Sequence, residues 1–466
     1  MTETHSGSAV DLLVIGGGTA GIVAAKTAAR FGADVLLVER DRMGGDCLWT
    51  GCVPSKSLIA AADAATRARS SAELGVRASE VAVDFAAVMR HVHAAISTIE
   101  PEDSPEALHA VGARVTLGSA HFLGPREAEV NGERIRFRQA IIATGSAPVL
   151  PGIEGLDRVD ALTSETVWDI DELPSRLLVL GGGAIGCELA QAFARLGSHV
   201  TLVQRNARLL PKEDEAASAI VAEALRADGV DVLTGTELES ITAATGGGGT
   251  AALSTGDAVR FDRILVALGR SPRVDDLDVA AAGVRLDDRG YVEVNDALRS
   301  SNRRIWAAGD VTGHPEFVYV AAHHGNMVAE NTFAGAERSV DHSRLPRVTF
   351  TSPAIGAVGM TEAQVLAAGI RCDCRVLPLD YVPRALVNRD TRGFIKIVAN
   401  AETGEILGLT AVAKDAGELA AAGVHILGKT VTEVADAWAP YLTMTEGIRI
   451  AAKAFTTDIS KLSCCA

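Results

Sequence analysis

A chain of 466 residues is long enough for about three domains. It is 48% hydrophobic and 22% charged, with 46 glycines and a formal net charge of −15. It contains neither the apolar run of about 18 residues that a membrane span needs nor a basic stripe for nucleic acid. The first residues lack the features of an export signal, so we expect a cytoplasmic protein that binds neither membrane nor nucleic acid.

The first predicted elements are a strand, a glycine turn, a helix and a second strand in "DLLVIGGGTAGIVAAKTAARFGADVLLVERD". Gly16, Gly18 and Gly21 form G-x-G-x-x-G directly after the first strand, and Glu39 closes the second. Such glycines let the backbone approach a pyrophosphate at a helix amino terminus, and the acid accepts a ribose hydroxyl. The segment therefore predicts a dinucleotide site.

The next segment, "MGGDCLWTGCVPSKSLIAAA", places two cysteines beside that site. Cys47 and Cys52 are five positions apart, Gly45 precedes them, and Lys56 follows on a predicted helix. A helix amino terminus and a nearby lysine lower the pKa of a thiol, and the thiolate is the nucleophile and the ligand of soft metals. The segment predicts a redox-active thiol pair.

Three further strand ends carry small residues. "AIIATGSAP" places Ala143, Thr144 and Gly145 in a turn, "ILVALGRSP" places Gly269 in a similar one, and "RIWAAGDVTG" ends a strand at Asp310. We predict that these turns line the nucleotide sites. The glycine-rich stretch "TAATGGGGTAALSTG" predicts a turn in a small antiparallel insert.

A second glycine fingerprint follows in "RLLVLGGGAIGCELAQAFARLGSHVTLVQRNAR", with Gly181, Gly183 and Gly186. Two such units predict two dinucleotide sites. Gln204 stands where the first unit has its acid, and Arg205 and Arg208 follow it. Arginine can bind a 2′-phosphate in a bidentate fork, so this site favours NADPH over NADH. The alternative is that both arginines only face solvent.

These motifs together resemble the class I pyridine nucleotide–disulfide oxidoreductases over nearly the whole chain. The resemblance implies an α/β fold with two Rossmann-like dinucleotide-binding domains, for FAD and NADPH, and a carboxyl-terminal α+β dimerisation domain. We assign residues 1–155 and 276–340 to the FAD-binding domain and residues 156–275 to the NADPH-binding domain. Residues 345–466 form the dimerisation domain with a dithiol tail. The family forms homodimers in which each active site is completed by the partner.

The resemblance also implies roles for single residues. Asp310 would hold the flavin ribityl chain, and Lys56 would lie near flavin N5 and pair with Glu188. Cys52 would form the charge-transfer contact with the flavin, and Cys47 would exchange with the substrate.

The carboxyl-terminal segment "PYLTMTEG" separates the members of the family. Tyr441 stands where the disulfide reductases have a catalytic histidine, and a tyrosine with a pKa near 10 is a poor base at neutral pH. It can still lie beside a metal–thiolate complex. "PYLTM", "VPRALVNRDTRGFIK" and the final "LSCCA" are most similar to the mercuric reductases of the family.

The chain ends with the adjacent thiols Cys464 and Cys465. Two idle thiols at a frayed terminus are one interpretation. Because soft thiolates select soft ions, the other is a dithiol that takes Hg(II) from small thiols and passes it to Cys47 and Cys52 of the partner. Cys372 and Cys374 form a further Cys-x-Cys that we expect on one face of a strand, although an accessory metal contact is conceivable.

The leading hypothesis is therefore an FAD-dependent oxidoreductase that reduces thiol-bound Hg(II) to Hg(0) with NADPH. One alternative is a related disulfide or quinone reductase of the dihydrolipoamide dehydrogenase type. The other is a flavoprotein that sequesters mercury without turnover. The two complete fingerprints and Lys56 argue against the last, since a metal buffer needs no hydride path.

Overall fold

The computed structural model describes residues 9–78, 80–245 and 247–461, so the predicted tail thiols lie outside the described residues. The amino-terminal third begins with the predicted strand–helix–strand unit. Its strands are β1 (Val10–Ile15), β2 (Val35–Glu39), β3 (Arg114–Leu117), β4 (Ala120–Gly124), β5 (Glu127–Val130), β6 (Glu133–Ile142) and β7 (Ser146–Pro148). Its helices are α1 (Thr19–Arg30), α2 (Gly45–Trp49), α3 (Cys52–Ser70), α4 (Phe85–Ile99) and α5 (Pro105–His109).

The middle of the chain repeats this arrangement. Its strands are β8 (Leu162–Thr163), β9 (Arg176–Leu180), β10 (His199–Gln204), β11 (Val230–Thr234), β12 (Leu238–Ala243), β13 (Gly249–Leu253), β14 (Ala258–Phe261), β15 (Arg263–Val266) and β16 (Arg270–Pro272). Its helices are α6 (Ala184–Leu196) and α7 (Glu215–Ala227). The next segment contributes β17 (Ile305–Ala307) and α8 (Val318–Phe333).

The carboxyl-terminal part contains five strands and five helices among the described residues. The strands are β18 (Arg347–Thr349), β19 (Ala354–Gly359), β20 (Cys372–Pro378), β21 (Phe394–Asn400) and β22 (Ile406–Ala413). The helices are α9 (Glu362–Ala367), α10 (Pro383–Asn388), α11 (Ala416–Val424), α12 (Val431–Ala435) and α13 (Glu446–Lys453).

The sheet topology separates two sheets with a parallel core from a fully antiparallel one. The first sheet has the order β3-β2-β1-β6-β5-β4, and β17 also pairs with β6. Its β1, β2, β3, β6 and β17 pair in parallel, whereas β4 and β5 are antiparallel. The second parallel sheet has the order β11-β10-β9-β15-β8, and β12, β13 and β14 form the antiparallel insert that the sequence predicts.

The third sheet, β18-β19-β22-β21-β20, is antiparallel throughout, with β20 at one edge. The fold is therefore α/β with two nucleotide-type sheets and a separate α+β unit, as the sequence predicts. No described helix combines the length and the apolar character that crossing a membrane requires.

The apolar runs of the parallel strands explain why these sheets lie inside the protein. Leu12, Leu13, Val14 and Leu37 are fully buried. Leu12, Val14 and Leu37 pack with residues of α1 and α8, whereas Leu13 packs with residues of β4, β5 and the segment around Val279. Helix α8 packs closely against α1, where a Cβ on Gly325 would lie 2.2 Å from the Ala20 carbonyl oxygen. This packing positions Gly309 and Asp310, which precede α8, beside the first glycine turn.

Candidate active site

The first glycine fingerprint forms a tight turn between β1 and α1. Gly16 has φ of +111°, and a Cβ on Gly21 would lie 1.9 Å from the Gly16 carbonyl oxygen. The Gly17 N–H donates a 2.6 Å hydrogen bond to Oε2 of Glu39. Glu39 therefore braces the turn, and it also lines the cavity beside the turn.

A cavity of about 570 Å³ extends from this turn to the two cysteines. It is lined by most of the cofactor residues predicted for the first site: Gly16, Gly18, Glu39, Gly45, Ala143, Thr144, Gly145 and Asp310, together with Cys47 and Cys52. The Thr144 hydroxyl is buried and has no hydrogen-bond partner among the described residues, which suits a ligand that supplies one. The cavity and this orphaned hydroxyl fit a bound dinucleotide such as FAD.

Asp310 is held at the cavity wall by polar side chains. It accepts a 2.8 Å hydrogen bond from the Ser146 hydroxyl, which in turn accepts one of 2.7 Å from Nε of Arg270. Burial raises the pKa of Asp310, while the Ser146 hydrogen bond opposes the shift. Arg270 also lies 3.4 Å from Asp46, next to Cys47. We did not predict this Ser146–Arg270 link, and "GRSP" gives no local signal for it.

The two cysteines belong to consecutive helices. Cys47 lies in α2, Cys52 begins α3, and both are free, partly buried thiols. The hydrogen bond between them lowers the pKa of Cys52 to about 7, and the charge of Lys56 adds to this shift while burial opposes it. The same hydrogen bond raises the pKa of Cys47. Cys52 is therefore the thiolate of the pair and Cys47 the thiol.

Lys56 and Glu188 form an ion pair between α3 and α6. The ammonium nitrogen lies 3.0 Å from Oε2 of Glu188, whose side chain is 7% exposed. The Phe350 N–H donates a 2.9 Å hydrogen bond to the other oxygen of Glu188, and Nζ of Lys56 lies 4.3 Å from the centre of the Phe350 ring. Sequence reasoning missed Phe350, because it is 162 residues away from Glu188 and belongs to the carboxyl-terminal unit.

The second fingerprint repeats the geometry of the first. Gly181 has φ of +111°, and a Cβ on Gly186 would lie 1.8 Å from the Gly181 carbonyl oxygen. Helix α6 begins directly after Gly183. The Gly182 N–H donates to Oε1 of Gln204 at 3.2 Å, so the amide replaces Glu39 in bracing the turn without its charge.

The two arginines after β10 differ in their surroundings. Arg205 is exposed. The Arg208 guanidinium donates to the carbonyls of Leu210, Pro211 and Glu213 and to the Ser218 hydroxyl. Arg208 therefore holds the loop after β10, which makes Arg205 the better candidate for a phosphate contact. Gly269, with φ of +127°, accepts a 3.0 Å hydrogen bond from Val149 N–H and so joins the two nucleotide units.

Tyr441 lies in the loop between α12 and α13 and is 49% exposed. The loop is anchored by Glu446, which is 1% exposed and accepts the Leu442 N–H at 3.0 Å. None of the described residues beyond 321 lines the cavity of Cys47 and Cys52. Tyr441 is therefore not among the described residues that line this cavity within one chain.

Comparison with known proteins covers nearly the whole chain. A family model described as pyridine nucleotide-disulphide oxidoreductase matches residues 10–325, and the dimerisation domain of that family matches residues 345–452. A mercuric reductase from Streptomyces lividans is 44% identical over 478 residues, with 100% of both chains covered. One from Staphylococcus aureus is 40% identical over 462 residues, covering 98% of this chain and 84% of the relative.

Among solved structures, the chain is similar to the HOCl-induced flavoprotein disulfide reductase RclA from Escherichia coli. The TM-score is 0.86 at 28% sequence identity, with 95% of this chain and 99% of that chain covered. The ranges matched by the two family models span both glycine fingerprints, the thiol pair and the carboxyl-terminal sheet.

Proposed function

The chain belongs to the pyridine nucleotide-disulphide oxidoreductase family, and from this premise we propose that it reduces Hg(II) to Hg(0) with NADPH. It is an oxidoreductase with FAD and NADPH as cofactors. The observation that carries the proposal is the thiol pair at the end of the first nucleotide cavity, with its lowered Cys52 pKa. The full-length similarity to proteins named mercuric reductase supports the choice of substrate.

The first nucleotide unit would hold FAD. Glu39 would accept a ribose hydroxyl, Thr144 would use its orphaned hydroxyl, and Asp310 would contact the ribityl chain. The second unit, with Gly181, Gly183, Gly186 and Arg205, would hold NADPH. When bound, the two cofactors supply the two electrons that the reaction needs.

The protein groups around the thiols prepare them for a soft ion. Lys56 stabilises the Cys52 thiolate, and Glu188 keeps the Lys56 ammonium in place. Cys47 would lose its proton when it binds Hg(II), since thiolates are the ligands of soft metals. The overall reaction balances as Hg(II) and NADPH giving Hg(0), NADP⁺ and one proton.

The dimerisation domain supports a homodimer. We propose that Tyr441 and the tail thiols Cys464 and Cys465 complete the partner's active site. Tyr441 is not among the described residues that line this cavity within its own chain, which supports this arrangement, although Phe350 of the same unit contacts Lys56 of its own chain. Cys464 and Cys465 would deliver Hg(II) to Cys47 and Cys52 of that subunit.

The test is anaerobic NADPH oxidation with Hg(II) in excess small thiol, compared with oxidised glutathione and lipoamide. We expect turnover with Hg(II), no turnover with the disulfides, and loss of mercury turnover in Cys47→Ser/Cys52→Ser. Cys187→Ser is the matched control, because Cys187 is fully buried in α6. Turnover with a disulfide instead would assign the chain to the disulfide reductases. Reduction of the flavin without turnover of any of these would contradict the proposal.

A further inference from the structure

A second thiol pair lies on the edge strand of the carboxyl-terminal sheet, outside the cavity of Cys47 and Cys52. Cys372 and Cys374 are alternate residues of β20, so their side chains lie on the same face of the sheet. The Cys374 thiol donates to the Cys372 sulfur, and the two sulfur atoms are 3.7 Å apart. Both residues are partly buried and free of disulfides.

A carboxylate completes this cluster. Glu362 lies in the first turn of α9. One of its carboxylate oxygens and the sulfur atoms of Cys372 and Cys374 are all within 4.8 Å of one another. Oε2 of Glu362 accepts a 2.7 Å hydrogen bond from Nζ of Lys396, which also donates to Asp214 at 3.0 Å. Lys396 therefore orients the carboxylate in the way that outer-shell partners orient metal ligands.

We propose that Cys372, Cys374 and Glu362 bind one thiophilic divalent ion, of the class of Cd(II) and Zn(II). The spacing supports this geometry, since two sulfurs each about 2.3 Å from a tetrahedral ion lie about 3.8 Å apart. A linear ion between two thiolates would need about 4.6 Å at the same bond length. The observed 3.7 Å matches the tetrahedral arrangement, with a fourth position for water or a small thiol.

Binding replaces two S–H bonds with two metal–sulfur bonds, releases two protons and changes no oxidation state. The ion would link β20 to α9. Lys396 and Asp214 would extend this link to α7, because Asp214 caps that helix through the Ala216 N–H. The site does not depend on the proposed mercury reduction.

The experiment uses full-length holoenzyme in which Cys47, Cys52, Cys464 and Cys465 are replaced by serine, so that the proposed catalytic and tail thiols cannot bind the probe. Cd(II) is added anaerobically, excess ion is removed by gel filtration, and metal per chain is measured by mass spectrometry. We expect one Cd(II) per chain, none after Cys372→Ser/Cys374→Ser, and one after the control Cys187→Ser. Glu362→Gln should weaken binding by at least tenfold.

A second measurement needs no change at the site. Alkylation of Cys372 and Cys374, mapped by mass spectrometry, should be slowed at both residues by Cd(II). Unchanged stoichiometry in Cys372→Ser/Cys374→Ser would overturn the proposal. So would equal alkylation with and without Cd(II), or no Cd(II) retained by the protein while both thiols are reduced.

Discussion

The Cys52 thiolate is stabilised first by the hydrogen bond with Cys47 and then by the charge of Lys56. Lys56 lowers the pKa of Cys52, whereas Glu188, which pairs with Lys56, raises it. In Lys56→Met the negative charge of Glu188 is no longer balanced by the lysine. We therefore expect the pKa of Cys52 to rise from about 7 by about one unit or more.

The rate of iodoacetamide alkylation of Cys52 against pH measures this shift. Lys56→Arg keeps the charge and should retain most of the parent profile, and Lys429→Met serves as a surface control. An unchanged profile in Lys56→Met would show that the hydrogen bond from Cys47 alone sets the thiolate.

His324 is a buried neutral imidazole beside the Asp310 turn. Its Nδ1 accepts the Gly309 N–H at 3.2 Å, so its proton is on Nε2, which faces the rings of His314 and His342. Nε2 is buried and has no partner among the described residues. Because a proton occupies this nitrogen, the three histidines do not present three lone pairs to one point, and we assign no metal to them.

Burial lowers the pKa of His324 from 6.5 to about 3. Between these values the unfolded chain binds a proton that the folded protein does not, so the free energy of unfolding falls as the pH drops below 6.5. In His324→Gln this loss is absent, and the amide oxygen can still accept the Gly309 N–H. Relative to the parent, the variant should gain about 1 kcal/mol between pH 7.5 and 5.5.

Urea unfolding at both pH values measures the gain. His91→Gln, at an exposed position of α4, should follow the parent. If the free energy of unfolding falls equally in His324→Gln and in the parent between these pH values, His324 already takes up a proton in the folded state.

At the scale of elements, we predict that the loop after β10 sets the preference of the second nucleotide site for NADPH. Arg205 is exposed, whereas Arg208 is used within the loop. Arg205→Ala should lower kcat/KM for NADPH by tenfold or more, the size of a lost charge-assisted hydrogen bond, and leave kcat/KM for NADH unchanged. The exposed Arg226 on α7 provides the control Arg226→Ala. Equal losses with both nucleotides would remove Arg205 from the phosphate contact.

The repeated units show which parts of the fold are predictable from the sequence. In each glycine fingerprint a buried strand leads into the turn, a helix starts after the second glycine of the motif, and a side chain at the end of the next strand braces the turn. Local pattern and tertiary geometry therefore agree. The role of Arg208 was not predictable, because its partners are mainly backbone carbonyls of a loop without regular pattern. The contact between the Phe350 ring and Lys56 was not predictable for a different reason, since no local sequence pattern indicates a contact between distant units.

In the whole molecule, the dimerisation domain supports a homodimer, and exposed side chains on the described chain are candidates for its interface. Trp438 is fully exposed in the described chain, and Tyr441 is 49% exposed on the same α12–α13 loop. Large apolar exposed side chains mark interaction sites, and the dimerisation domain includes both residues. The predicted domain boundaries and the roles of Tyr441, Cys464 and Cys465 stay predictions.

Mixed dimers test the transfer between subunits. One chain carries Cys464→Ala/Cys465→Ala and the other Cys47→Ala/Cys52→Ala, so that an intact tail meets an intact thiol pair only across the interface. Because one of two equivalent sites is then complete, the mixed dimers should recover about half of the parent mercury turnover. Recovery no greater than in either parent variant would place the transfer within one chain.

The proposed reaction passes electrons from NADPH to mercury at the Cys47–Cys52 pair. Its most direct measurement is the amount of volatile Hg(0) released per NADPH oxidised, under anaerobic conditions and with Hg(II) in excess thiol. We expect one Hg(0) per NADPH with the parent protein and none with Cys47→Ser/Cys52→Ser. NADPH oxidation without Hg(0), or equal release from the variant, would contradict it.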